Sequence, residues 1–141
     1  MDRDDRMSEL FDDLLRENRP MGQQREVIKP ELGKLPFGVN EAINVLRGNV
    51  QLSGNNIKAV AVTSSLAHEG KSSIAFRLAK SMASLEKRVL YLDGDIRNST
   101  TQVRYNILGD KEGLSEYLCG EAAKEKIIYH TDDPWLDMIF T

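Results

Sequence analysis

Four patterns in the middle of the chain limit the folds it can adopt. Residues 59–62, Ala-Val-Ala-Val, are a continuous apolar run of the kind found in strands buried on both faces. Gly70-Lys71-Ser72 follows, and residues 72–87 then repeat apolar pairs every four positions, as an amphipathic helix does. Residues 89–92 are a second apolar run. This order predicts a βαβ unit, and hence an α/β fold with a parallel sheet flanked by helices.

The stretch between the first predicted strand and the helix has the pattern of a phosphate-binding loop. Such loops follow G-x-x-x-x-G-K-[ST]; Gly70-Lys71-Ser72 matches the end, and Ser65 stands at the first glycine position. Backbone N–H groups would surround an anion, Lys71 would add positive charge, and the Ser72 hydroxyl would be a Mg²⁺ ligand. The alternative is an ordinary strand-to-helix turn with a surface lysine. The flanking patterns favour nucleotide binding, with these candidate residues: Ser65, Leu66, Ala67, His68, Glu69, Gly70, Lys71, Ser72 and Ser73.

Two carboxylates stand at the end of the second predicted strand. Asp93 and Asp95 are separated by one glycine, and ligands bind at the carboxyl ends of parallel strands. Two neighbouring carboxylates repel each other unless a cation or a proton lies between them, and Mg²⁺ would supply that charge. The alternative is a turn capped by Asp-Gly-Asp. We favour a metal site; Arg97 would either contact phosphate or form a surface ion pair.

The remaining segments predict a domain division and several short elements. Residues 8–16 have one apolar helical face, which either packs on the chain's own domain or docks to a partner; we favour packing. Residues 19–37 contain three prolines and predict an extended linker. We therefore divide the chain into an N-terminal helix and linker, residues 1–36, and a main domain, residues 37–141. Helices are expected at residues 39–52, 101–108, 114–118 and 121–128, and a strand at residues 136–140.

Composition excludes several classes of protein. The net charge of −3 does not suggest a nucleic-acid-binding protein. A single cysteine, Cys119, excludes a disulfide framework and fits a reducing cytosol. No apolar run approaches the roughly 18 residues of a membrane span, and the charged N-terminus is not a secretory signal. We therefore expect a cytoplasmic protein that reaches a membrane only through a partner.

The combined motifs resemble one family, the bacterial tyrosine kinases of capsule and exopolysaccharide synthesis. Its Walker A loop lies in a Thr-Ser-Ser…Glu-Gly-Lys-Ser context, as residues 63–65 and 69–72 do here. Its Walker A′ motif, three apolar residues followed by Asp-x-Asp-x-Arg, resembles residues 90–97. Residues 113–120 resemble its Gly-Leu-Ser-x-Tyr-Leu-x-Gly segment, and residues 41–49 resemble the helix before its first strand. The resemblance covers roughly residues 37–141.

The resemblance implies an ATP-dependent protein-tyrosine kinase of the P-loop superfamily. Lys71, Asp93 and Asp95 would be catalytic, and Ser72, Asp93 and Asp95 would bind Mg²⁺; either aspartate could be the base. The cofactors would be ATP and Mg²⁺. The partners would be a membrane adaptor or activator of the polysaccharide co-polymerase type, protein tyrosine substrates, and further copies of the chain. Those copies would meet through the helix of Glu41 and Arg47.

Departures from the family pattern keep a second interpretation open. Ala67-His68 replaces the usual Pro-Gly; a side chain there strains the loop unless its backbone angles are ordinary. Asn44 replaces the first arginine of the subunit-contact motif, and no Walker B strand occurs before Thr141. We therefore expect an incomplete domain. The alternative function is a non-catalytic nucleotide-binding switch of the same machinery. A partition-type ATPase is disfavoured because Leu66 occupies the position of its additional lysine.

Overall fold

The computed structural model describes residues 1–15 and 26–141, which have an α/β architecture. Residues 16–25, which include the predicted helix end at Arg16 and the start of the predicted linker, lie outside the described residues. No helix in the described part is both long and apolar enough to cross a bilayer. The elements are α1 (Arg3–Leu15), α2 (Phe37–Leu52), α3 (Lys71–Ala83), β1 (Val89–Leu92), α4 (Thr101–Arg104), α5 (Leu114–Cys119), α6 (Lys124–Ile127), β2 (Ile128–His130) and β3 (Leu136–Ile139).

The three strands form a mixed sheet in the order β1-β3-β2. Strands β1 and β3 are parallel, with Val89 opposite Leu136 and Leu92 opposite Ile139. Strand β2 is antiparallel to β3, with His130 opposite Asp137. The α/β class is therefore confirmed, but the prediction of a purely parallel sheet is wrong for β2. Its three residues are too few to show a period of two, and the sequence analysis missed the strand.

Residues 59–62 do not form the predicted strand. They have no regular secondary structure, and the side chains of Val60 and Val62 are 52% and 37% exposed. Strand β3 already has a neighbour on each side, and outside the named strands the described residues form one isolated bridge, Ile28 with Thr131. A continuous apolar run becomes a buried strand only where a neighbouring strand accepts its hydrogen bonds. Among the described residues this segment pairs with no strand, although β1 has a neighbour on one side only.

Helix α3 covers one face of the sheet. Phe76 is fully buried and packs edge-on against Tyr91 of β1, with ring centroids 5.1 Å apart. Leu136 and Met138 of β3 complete this face, because alternate residues of a strand point to the same side. The extended segment before α2 also contributes, since Ile28 is buried in the same cluster and its N–H donates to the carbonyl of His130 at 2.9 Å. The described part of the predicted linker before α2, residues 26–36, therefore contains no helix and partly belongs to the core.

Helices α1, α5 and α6 cover the opposite face. Leu10 of α1 is fully buried against Leu114 and Tyr117 of α5, which confirms that α1 packs on its own chain. Gly113 is required here because a Cβ atom at this position would lie 2.5 Å from the carbonyl oxygen of Phe140. That close approach lets the N–H of Leu114 donate to the same carbonyl at 2.7 Å. The proposed domain division at residue 36 stays a prediction. Leu10 and Ile28, which precede this boundary, both pack against residues that follow it.

Helix α2 lies on the outer side of α3. The guanidinium of Arg47 donates to the hydroxyl oxygen of Ser81 at 2.9 Å and to its carbonyl at 3.2 Å. The Ser81 hydroxyl donates in turn to Asn44 at 3.2 Å. Two side chains of the predicted subunit-contact helix are therefore engaged within the chain. Helix α2 begins at Phe37, two residues before the predicted start, and ends at the predicted Leu52.

The buried hydroxyl of Tyr105 gives a test of the core. Tyr105 is 4% exposed, its ring lies 4.3 Å from that of Phe76, and its hydroxyl forms no hydrogen bond of good geometry in the described part of the chain, although the Ser73 hydroxyl is close enough to lower its pKa. Burial raises the pKa of this hydroxyl, so it stays neutral at physiological pH. Because an unpaired buried polar group is costly, Tyr105→Phe is expected to raise the free energy of unfolding by about 1 kcal/mol in urea titrations.

Tyr117→Phe is the matched control for this substitution. The Tyr117 hydroxyl donates to the carbonyl of Arg6 at 3.0 Å, so its removal breaks a hydrogen bond between α5 and α1. The same urea titration is expected to show a loss of about 1 kcal/mol. An equal decrease in the free energy of unfolding in both variants would contradict the conclusion that the Tyr105 hydroxyl is unpaired.

Candidate phosphate-binding site

The first turn of α3 forms one wall of the site. Gly70 has φ 85°, a left-handed conformation that reverses the chain and lets α3 begin at Lys71. The N–H groups of the first helical turn have no partners within the helix, and the helix dipole adds partial positive charge there. Together they make a binding site for anions. Helix α3 ends at Ala83, so the predicted helical range of 72–87 is too long at its C-terminal end.

The loop before α3 is held by its own side chains. The carboxylate of Glu69 accepts a hydrogen bond from the N–H of Leu66 at 3.2 Å, and the Ser64 hydroxyl donates to the Leu66 carbonyl at 2.8 Å. His68 has φ 64°, so a residue with a Cβ atom occupies a backbone region that favours glycine. The backbone strain that the sequence suggests for the Ala67-His68 pair is therefore present at His68.

A cavity of about 260 Å³ opens between this loop and the turn after β1. It is smaller than the roughly 300–1,000 Å³ of pockets that enclose a whole small molecule. Its size suits a phosphate group and its immediate neighbours rather than an entire nucleotide. The lining residues are Ala67, His68, Gly70, Lys71, Ser72, Asp93, Asp95, Asn98, Ser99, Thr100, Thr101 and Arg104.

The cavity brings together most of the site residues predicted from the sequence. Lys71, Ser72, Asp93 and Asp95 all line it, although they come from two segments of the chain. The lining also includes Ala67, His68 and Gly70 of the loop. Four predicted nucleotide contacts lie outside the lining: Ser65, Leu66, Glu69 and Ser73.

Asp93 is a buried carboxylate whose oxygens already accept hydrogen bonds. The residue is 5% exposed, and one carboxylate oxygen accepts the N–H of Asp95 at 3.0 Å. The other oxygen accepts the Ser99 hydroxyl at 2.6 Å and also the Thr101 hydroxyl. A buried charge is tolerated when it is paired in this way. These bonds fold the segment after β1 back on itself.

Asp95 is the less constrained of the two carboxylates. Its side chain accepts one hydrogen bond, from the N–H of Asn98 at 3.2 Å, and it is only partly buried. The carboxylate oxygens of Asp95 and the hydroxyl of Ser72 are hard ligands of the type that Mg²⁺ prefers. Among the described residues, no cluster of three or more His, Cys, Asp or Glu side chains could hold a metal by itself. These donors therefore fit Mg²⁺ in the usual form, shared with phosphate oxygens.

Tyr91 lies in the core, close to the carboxylate of Asp93. Burial and the nearby charge of Asp93 raise the pKa of the Tyr91 phenol to about 12. The phenol therefore stays protonated at physiological pH. Its neighbours in the core leave it inaccessible to a second protein, so Tyr91 is part of the scaffold of the site.

Arg104 is a cation of the cavity that the sequence analysis missed. It ends the four-residue helix α4, and its guanidinium donates to the Ser73 hydroxyl at 3.0 Å. No motif includes it, and it lies far from the loop along the chain, so no local signal identified it. Arg97, the arginine considered from the sequence, is exposed and does not line the cavity.

Comparison with known proteins gives the family. No model of a known protein family matches the chain. "Tyrosine-protein kinase CpsD" of Streptococcus agalactiae is 37% identical over 99 residues, which are 70% of this chain and 43% of that protein. "Tyrosine-protein kinase YwqD" of Bacillus subtilis is 30% identical over 128 residues, 89% of this chain and 52% of that protein. The chain belongs to the bacterial tyrosine kinase family.

A bacterial tyrosine kinase of a further species matches more distantly. "Tyrosine-protein kinase etk" of Escherichia coli is 29% identical over 103 residues, 70% of this chain and 14% of that protein. The chain spans about half the length, or less, of the curated relatives it matches. The similarity confirms the family resemblance predicted from the motifs.

The strain at His68 gives a test of the loop geometry in this bacterial tyrosine kinase segment. His68→Gly and His68→Ala both remove the imidazole, but only glycine adopts φ 64° without a Cβ clash. In urea titrations without ligand, we expect the Gly variant to be more stable than the Ala variant by about 1 kcal/mol.

Position 84 supplies the control for this pair. Ser84 is exposed and has φ −62°, an ordinary helical angle. There the Ala variant is expected to be the more stable, by roughly 0.5–1 kcal/mol, because glycine loses more backbone entropy on folding. An Ala preference of the same size at position 68 would show that the loop does not require a left-handed residue.

Proposed function

We propose that this chain supplies the phosphate-binding part of an ATP-dependent protein-tyrosine kinase that regulates capsular and exopolysaccharide synthesis and export. The observation that carries the proposal is the meeting of Lys71, Ser72 and Asp95 in one cavity at the start of α3. An ammonium, a hydroxyl and a carboxylate beside unpaired helix N–H groups are the groups that bind and transfer a phosphoryl group. The names of the relatives support the same reaction.

Different residues of the chain would have different roles in phosphoryl transfer. Lys71 forms no ion pair with any residue the structure describes, so its charge is free for the phosphates. The N–H groups of the first turn of α3 hold phosphate oxygens from the same side. Ser72 and Asp95 would hold Mg²⁺, which supplies charge neutralisation for the transferred phosphoryl group. Ser65, Leu66, Ala67, His68, Glu69, Gly70 and Ser73 complete the proposed nucleotide contacts.

Asp95 is the better candidate for the base. Transfer forms a bond between the tyrosine oxygen and the γ-phosphorus, breaks the bond to the β-phosphate oxygen, and releases the phenol proton. A base needs a carboxylate oxygen that can approach that proton. Both oxygens of Asp93 already accept hydrogen bonds, whereas Asp95 accepts a single one. In this proposal Asp93 positions the turn, and Asp95 would offer one carboxylate oxygen to Mg²⁺ and the other to the phenol proton.

The proposed partners are a membrane adaptor of the polysaccharide co-polymerase type and tyrosine-containing proteins. Binding to the adaptor would bring a cytoplasmic domain to the membrane. A homo-oligomer through α2 is the third proposed contact, in which the exposed Glu41 would reach a neighbouring copy. Arg47 already bonds to Ser81 of its own chain and would have to exchange that partner.

Lys71→Met tests the kinase reaction. The substitution removes the positive charge that stabilises the phosphates, and the loss of such a group typically lowers the rate by two orders of magnitude or more. Phosphotyrosine formed by the intact protein with its adaptor is expected to fall below detection on immunoblots. Lys87→Met is the control, because Lys87 is exposed and lies outside the cavity. Undiminished phosphotyrosine in Lys71→Met would rule out the proposed mechanism.

The second candidate is a nucleotide-dependent switch that binds without transferring. The strained His68 favours it, because a distorted loop can still hold phosphate while misaligning the reacting groups. Measuring the MgATP affinity and phosphotyrosine formation on the same preparation separates the two functions. A kinase shows both properties, whereas a switch binds MgATP and forms no phosphotyrosine.

The two aspartates are expected to behave differently when each is replaced by asparagine. Asp93→Asn removes an acceptor of hydroxyl hydrogen bonds in a buried position, so the free energy of unfolding should fall by about 1–3 kcal/mol. Asp95→Asn should leave that free energy within about 0.5 kcal/mol of the parent chain. Instead, it should remove most of the Mg²⁺ dependence of ATP affinity, measured calorimetrically with and without EDTA. Equal destabilisation by both variants would contradict this division of roles.

A further inference from the structure

The guanidinium of Arg104 is held against the first turn of α3 by the Ser73 hydroxyl and also contacts the hydroxyl of Thr100, which directly precedes α4. One terminal nitrogen donates to the Ser73 hydroxyl at 3.0 Å, and the other donates to the Thr100 hydroxyl at 3.5 Å. A guanidinium has five N–H donors in a fixed plane. These two contacts orient the plane and leave further donors for a ligand. Arg104 lines the same cavity as Lys71 and Ser72.

The charge of Arg104 is not balanced by a carboxylate of the described residues. Other cations of the described part do have such partners: Lys80 pairs with Asp133, Lys111 with Glu26, and Lys124 with Asp13. Lys71 and Arg104 are therefore two cations of the cavity that form no ion pair with any described residue. Asp93 and Asp95 line the same cavity and offset part of this charge, but among the described residues neither forms an ion pair with Lys71 or Arg104. Both cations, together with unpaired N–H groups of α3, are therefore available to a ligand that carries more than one negative charge.

We propose that Arg104 is a second cationic phosphate-binding residue of this site, which binds nucleotide phosphate together with Lys71. The proposal rests on the nucleotide-binding function proposed above and extends it to a residue outside the loop. The planar guanidinium can donate two parallel hydrogen bonds to phosphate oxygens, which the single ammonium of Lys71 cannot do. Its contact with Ser73 sets the guanidinium beside the helical turn on which the phosphates are expected to rest.

The position of Arg104 follows from the hydrogen bonds of the turn before it. Thr101 begins α4, is buried, and donates its hydroxyl to Asp93. Arg104 follows three residues later, one helical turn along the same face. The bond between Thr101 and Asp93 therefore holds the helical turn that carries the guanidinium. Arg104 is itself exposed, and its contact with Ser73 distinguishes it from a surface arginine that is free to point into solvent.

The test compares the affinities of Arg104 variants for MgATP, MgADP and inorganic tripolyphosphate by calorimetry on the full chain. Because a hydrogen bond to a charged group contributes about 1.5–3 kcal/mol, Arg104→Met is expected to weaken all three ligands about tenfold or more. Arg104→Lys should reduce these affinities less than Arg104→Met does, since lysine keeps the positive charge. Arg88→Met is the control: Arg88 is exposed and outside the cavity, and its removal should change each affinity less than twofold.

Arg104→Gln separates ligand binding from a purely structural role. Glutamine can still donate a hydrogen bond to the Ser73 hydroxyl, but it carries no charge. If Arg104 binds phosphate, the Gln variant should be as weak as the Met variant; restoration of parental affinity by Gln would overturn the proposal. A loss seen with the nucleotides but not with tripolyphosphate would also overturn it, since the contact would then be to the nucleoside. If the parental chain binds none of the ligands, the proposed nucleotide function itself fails.

Discussion

The rest of the site depends on the hydrogen bonds of one buried carboxylate, that of Asp93. Its own N–H donates to the carbonyl of Ile139 at 2.9 Å, which extends the pairing of β1 with β3. Its side chain then accepts the backbone N–H of Asp95 and the hydroxyls of Ser99 and Thr101. A buried charge is stable only when its oxygens are satisfied in this way, so the turn is strongly constrained. That constraint brings the turn after β1 and the helix α4 into the wall of the cavity.

The two walls of the cavity reach their shapes by different means. The wall after β1 is held by hydrogen bonds to Asp93, whereas the wall before α3 needs left-handed backbone angles at His68 and Gly70. Glycine adopts such angles freely, while histidine does so at a cost of roughly 1–2 kcal/mol. The surrounding structure therefore has to hold His68 in place. The contact between the Glu69 carboxylate and the loop backbone is one restraint of this kind.

Sequence reasoning succeeded where the signal is local. The glycine before Lys71 and the paired aspartates are encoded within a few residues, and both lie at the cavity as expected. Sequence reasoning failed where the structure of a segment depends on contacts with residues distant in the chain. Residues 59–62 have the composition of a buried strand but pair with no strand in the described part, and β2 is too short to show a pattern. Arg104 was missed for the same reason, since only the folded turn brings it to α3.

The distribution of charge in the cavity is our reason for proposing a phosphate ligand with a metal rather than either alone. Two cations, Lys71 and Arg104, and two carboxylates, Asp93 and Asp95, line one small space. The hydrogen bonds of Asp93 disperse much of its charge, which leaves the cations to attract an anion and Asp95 to repel it. A divalent cation between Asp95 and the phosphate removes that repulsion and adds an attraction to both. Metal and phosphate should therefore bind cooperatively, because each one removes an unfavourable charge that the other would meet alone.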